Sequence, residues 1–114
     1  MKDYPKNIRR ELRRLAGMAY DRDTGKALTE LESHFRRWQS GEISPHELND
    51  LIHKHHDGIS RDLWKIYRHP PETTVPMAIA NGTLSEDEIP EEVKDYVTEK
   101  VDSFSKEESN DSRP

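Results

Sequence analysis

Four polar residues stand out by type and spacing: His46, Asp50, His53 and Asp57, at intervals of four, three and four. On an α-helix that spacing puts all four on one face, and each His/Asp pair at i, i+4 can reach one ion or each other. Imidazole nitrogen and carboxylate oxygen are ligands for a divalent transition metal, which makes the stripe a candidate metal site. A structural zinc site takes four protein ligands and a catalytic one takes three plus water, more than one exposed stripe converges unaided. A ligand from another helix is required, and His34 and Glu42 are the candidates. The competing reading is a solvated face on which imidazoles pair with aspartates. No cofactor other than this metal is expected. His55 falls among the apolar positions of the same helix, so it is expected at the core edge with one ring nitrogen satisfied rather than as a ligand.

A second candidate surface is basic. Arg9, Arg10, Arg13 and Arg14 flank the apolar positions of a first helix and offer guanidinium groups to a protein partner or to phosphates. Further along, Asp57-Gly58-Ile59-Ser60 has the shape of a helix-turn-helix turn, with Arg61, Lys65 and Arg68 as its reading face. Two features oppose that motif. Lys54 stands where its tight packing favours a small residue, and the net charge of -5 opposes phosphate attraction. A nucleic-acid-binding regulator using the arginine-rich first helix is therefore an alternative to protein binding.

Catalysis by other routes lacks its parts: there is no cysteine, no serine in a glycine-flanked elbow and no glycine-rich phosphate loop. Carboxylates are abundant, but they lie on exposed acidic faces where nothing raises their pKa. The aromatic residues Phe35, Trp38, Trp64, Tyr67, Tyr96 and Phe104 occur at helical spacing, which suits a core. Phe35, Trp64 and Val97 are assigned to the interior. The apolar stripes of the first two helices exceed what one small core covers, an argument for completion by a second copy or another protein.

The elements that position these residues follow from caps and periodicity. Ser44-Pro45-His46-Glu47 combines a serine N-cap, a proline at the first helical position and a glutamate that closes a capping box; Gly58 is the expected stop. Leu48, Leu51, Ile52 and His55 form its apolar face. Upstream, Ile8, Leu12, Leu15 and Ala19 mark a first helix ending near Asp21. The cluster Asp21-Arg22-Asp23-Thr24-Gly25 is turn chemistry, and Leu28, Leu31, Phe35 and Trp38 mark a second helix, giving an antiparallel hairpin. Gly17 interrupts the first helix, which a close crossing, a kink or an early end would explain. Downstream, a helix bearing Leu63 and Trp64 stops before Pro70-Pro71, a short one starts at Thr73 or Thr74, a single turn covers 86 to 88, and a last helix from Pro90 carries Val93, Val97 and Val101.

The expected fold is all-α: a small bundle of five to six short helices in one domain, residues 1–104, with a disordered acidic tail at 105–114. Charged residues make up 36% of the chain and hydrophobic ones 31%, so only a modest core is available. Residues 1–37 carry ten Lys/Arg against six Asp/Glu, and residues 83–114 carry four against eleven, so the two ends are expected to attract each other or partners of opposite sign. No apolar run reaches the length of a bilayer span, which excludes a membrane partner of that kind and, with the missing cysteines, fits a cytoplasmic protein. The functional expectation is a non-enzymatic protein that binds another protein or itself as a homodimer.

Overall fold

The computed structural model describes residues 4–111, the side chains of residues 105–111 excepted. Among the described residues every regular element is helical. There are four helices rather than five or six, because two expected breaks are not breaks. Helix α1 runs Lys6–Gln39 without interruption. Helix α2 occupies residues 45–67, as an α segment Pro45–His55, a π turn His56–Ser60 and an α segment Arg61–Tyr67. Helix α3 is Pro71–Ala80, and α4 is Glu91–Asp111 after a single 3-10 turn at Glu86–Glu88. Of the expected tail, the backbone of 105–111 continues α4, and residues 112–114 lie outside the described residues.

The first lost break is Asp21 to Gly25. Turn-forming residues are only a weak bias when both neighbouring stretches favour helix. Here tertiary contacts override it: Asp23 accepts a hydrogen bond from Tyr67, Tyr20 stacks on the same tyrosine, and Ala27 is buried. Gly25 keeps a negative φ, so its backbone freedom goes unused. Gly17 likewise sits exposed within α1, with no neighbour close enough to touch an added methyl group, so no close crossing explains it.

The second lost break is Gly58. A uniform α-helix would carry Leu63, fifteen residues after Leu48, roughly 60° out of phase with it. A π turn holds more residues per turn and falls behind in phase, which brings Leu63 back toward the buried side. Leu48 and Leu63 are both buried. With a continuous helix at 57–60, the helix-turn-helix reading is overturned.

The turn that does exist follows α1. Gly41 has φ +82°, and the Glu42 N–H donates to the Arg37 carbonyl at 2.8 Å, so the helix ends in a left-handed glycine cap. Helix α2 then opens on the expected capping box: the Glu47 N–H donates to Ser44 Oγ at 3.0 Å, and the Ser44 N–H to Glu47 Oε1 at 3.4 Å. Helix α3 begins at Pro71, earlier than Thr73, which puts Pro76 inside it. Pro76 has no N–H for the Glu72 carbonyl four residues back, and Lys100 Nζ donates to that carbonyl instead, at 3.4 Å.

Packing divides the chain into two compact units that share α1. Unit 1 comprises residues 1–19 and 69–114. Its core joins Ile8, Leu12, Leu15 and Ala19 of α1 to Val75, Ala78, Leu84, Ile89, Val93 and Val97. The basic start of α1 and the acidic α4 thus belong to one unit, where the Tyr4 and Tyr96 rings lie 5.4 Å apart. Unit 2 comprises residues 20–68, an antiparallel hairpin of the second half of α1 and α2. Its buried apolar residues are Ala27, Ile43, Leu48 and Leu63.

Candidate functional site

The predicted metal stripe is laid out along α2 as its spacing requires. His46 Nε2 stands 3.7 Å from Asp50 Oδ2, and both are exposed. His53 and Asp57 are exposed as well, Asp57 within the π turn. Among the described residues no three His, Asp or Glu side chains group closely enough to hold a metal ion. The proposed helpers are engaged elsewhere: His34 Nδ1 lies 3.0 Å from Arg37 Nη1, and Glu42 forms an ion pair with Arg37. His55 is half-buried in a groove of about 290 Å³ between the two arms of the hairpin, which it lines with Ala27, Leu31, His34, Leu51 and Ile59.

The arginines of α1 are exposed in unit 1. Arg14 is held along its own helix, with Nη2 2.8 Å from Glu11 Oε2 and Nη1 3.1 Å from Met18 Sδ. Arg9, Arg10 and Arg13 lie on the surface of the same helix. The histidine stripe thus belongs to unit 2 and the arginine flank to unit 1.

Residues that sequence reasoning assigned to the core form the more unusual surface. Trp64 is 51% exposed and Phe35 36%, a correction to their expected burial, whereas Val97 is buried. Hairpin geometry explains the difference: two helices have only one facing surface, and apolar residues outside that arc have nothing to pack on within the unit. Leu28, Trp38, Ile59 and Ile66 are exposed in the same way. On α1, Leu28, Leu31, Phe35 and Trp38 recur at three, four and three, the spacing of a coiled-coil seam.

At the open end of the hairpin, sequence reasoning missed a polar and aromatic cluster. The Tyr20 and Tyr67 rings stack at 4.9 Å with an 18° interplanar angle, and Tyr67 Oη donates to Asp23 Oδ2 at 2.5 Å. Burial, reinforced by the Asp23 carboxylate, pushes the Tyr67 phenol far above its ordinary pKa. Next to it, Tyr20, His56, Ser60, Arg61 and Trp64 line a cleft of about 300 Å³. The Arg68 guanidinium lies 4.4 Å from the Trp64 ring centroid. The one sequence signal here was that Arg61, Lys65 and Arg68 share a helix face, and it was attached to a turn that the structure lacks.

No described helix is long and apolar enough to cross a membrane. Comparisons of the chain with protein-family models, with curated proteins and with solved structures found no match.

Proposed function

We propose that this chain is a non-enzymatic protein-binding module that acts through unit 2, and that the hairpin pairs with the hairpin of a second copy. One observation carries the reading: every large hydrophobic side chain found exposed among the described residues, six in all, lies in unit 2. Apart from Trp64, those side chains present on the order of 450 Å² of surface, more than half of the ~800 Å² that each partner of a standard interface buries. Four small or medium apolar residues buried between two helices are a thin core for a hairpin, and two hairpins joined along their apolar seams make a four-helix bundle. Charge does not oppose self-pairing. Residues 20–68 carry eight Lys/Arg and nine Asp/Glu, intermixed along both arms, so two copies do not repel.

Sedimentation velocity over a range of concentrations tests this. The expected result is a monomer–dimer equilibrium that Leu28→Glu with Phe35→Glu shifts to monomer while helical content is kept. A chain that stays monomeric at hundreds of micromolar, or a dimer indifferent to both substitutions, would sink the proposal.

A further inference from the structure

The cleft beside the π turn lies at the end of the hairpin away from the Ser40–Ser44 turn, and it combines features that a helix–helix seam does not need. A π turn is uncommon and is frequently found at functional sites, and this one supplies two of the cleft's lining residues, His56 and Ser60. Trp64 borders the cleft with half its surface in solvent. Arg61, Trp64, Lys65 and Arg68, at spacings of three, one and three, follow one exposed face of α2 leading away from it. We infer that this cleft and stripe bind single-stranded nucleic acid, with one unpaired base stacked in the cleft against Trp64 and the following phosphates on Arg61, Lys65 and Arg68.

The choice of an unpaired strand comes from the balance of forces. Residues 56–69 hold three Arg/Lys against Asp57 and Asp62, and the whole chain is acidic, so phosphate attraction alone is weak. Stacking on an exposed indole must contribute the difference. Indole–base stacking tolerates any sequence but demands a base free of its partner strand, which a duplex does not offer. The volume of about 300 Å³ holds one base with its sugar and not a stretch of duplex. Three cations spaced over two helical turns match a strand rather than a lone nucleotide. This surface is separate from the arginine flank of α1 and from the Leu28–Trp38 seam, so the inference does not depend on self-association.

The test is fluorescence anisotropy of a fluorescein-labelled oligothymidylate of about twelve nucleotides, titrated with the full chain at about 20 mM salt. The expected result is saturable binding whose logarithm falls against log salt with a slope of about -2, from three neutralised phosphates. Trp64→Ala should weaken it at least about tenfold and Trp64→Phe by no more than about threefold, since phenylalanine still stacks. Arg61→Gln should lower the salt slope by about 0.7, whereas Arg9→Gln with Arg10→Gln should change nothing. Circular dichroism of each variant checks that the helices persist; Trp64→Phe and Arg61→Gln give independent readings should Trp64→Ala lose them. The inference is overturned by no anisotropy change at tens of micromolar, by equal affinity for the matched duplex, or by a Trp64→Ala variant that binds normally. It is overturned equally if Trp64→Ala alters sedimentation but not oligonucleotide binding.

Discussion

The two units are made from the same kind of helix and end in opposite conditions. Unit 1 surrounds its stretch of α1 with α3, a 3-10 turn and α4, and ten hydrophobic residues are buried there, six of them with no exposure at all: Leu12, Leu15, Ala19, Val75, Ala78 and Val93. Unit 2 offers its stretch of α1 a single companion helix, and six of its large apolar residues remain in solvent. Composition does not explain the contrast, since Leu28, Phe35 and Trp38 are as apolar as Leu12 and Leu15. What differs is the number of neighbours available. A helix enclosed on several sides can bury a wide stripe, and a helix in a two-membered hairpin only a narrow one.

The largest effect that separates the units is a cavity. Leu15→Ala removes a side chain with no exposure and should cost about 2–5 kcal/mol in a denaturant melt. Leu28→Ala, at a position 52% exposed, should cost well under ~1 kcal/mol at dilute concentration. On the proposed pairing the ordering narrows at high concentration, because the Leu28 side chain would then belong to an interface. If both substitutions cost the same in dilute solution, unit 2 is closed and the comparison fails.

Tyr67→Phe comes next. It leaves the half-buried Asp23 carboxylate without its phenol donor while keeping the ring stack on Tyr20, and should cost about 1–2 kcal/mol. The same bond gives unit 2 an alkaline dependence. In the folded chain the phenol holds its proton to higher pH than in the unfolded chain, so its stabilisation is complete below pH 10, the ordinary tyrosine value. As pH rises past 10 the unfolded chain releases this proton and the folded chain does not, so stability falls with pH. Melts of the wild type and of Tyr67→Phe between pH 9 and 11.5 should differ in slope, the variant being flatter. Parallel slopes would detach the phenol from the stability of the hairpin.

How much of this was legible depended on the range of the interaction. Local chemistry was read correctly where it stood alone: the Ser44 capping box, the stop before Pro70 and the single turn at 86 to 88 all depend on residues within about four positions of each other. The reading failed where a distant contact outweighed a local preference. Asp23 looks like a turn residue because its acceptor role is set by Tyr67, forty-four positions away. Gly58 looks like a stop because the phase correction it permits matters only to Leu48 and Leu63 packing on the same side. The exposure of Phe35 and Trp64 was illegible for another reason: periodicity shows which residues share a face, but not whether that face is covered.

A cap provides a smaller and purely local check. Ser44→Ala removes the acceptor for the Glu47 N–H and should cost about 1 kcal/mol. In native-state hydrogen exchange at dilute concentration the loss should appear across α2 first, because unit 2 is the less enclosed unit and opens at lower free energy. Protection lost evenly in both units would mean that the chain opens only as a whole.

The finest comparison uses one substitution made twice. Gly17 and Gly25 are both exposed, both inside α1, and neither has a neighbour within reach of an added Cβ, yet one lies in unit 1 and the other in unit 2. Each carries a negative φ, so alanine fits without strain and should stabilise helix by up to about 1 kcal/mol through lower backbone entropy in the unfolded chain. Gly17→Ala strengthens a segment that the unit 1 core already holds, and should raise the global unfolding free energy at any concentration. Gly25→Ala strengthens a segment of the less enclosed unit, so if that unit opens by itself in dilute solution the gain should appear as slower exchange of the amides around residues 22–29. Equal gains by exchange and by global melting at both positions would show α1 behaving as one cooperative rod, with the division between enclosed and open units confined to the side chains.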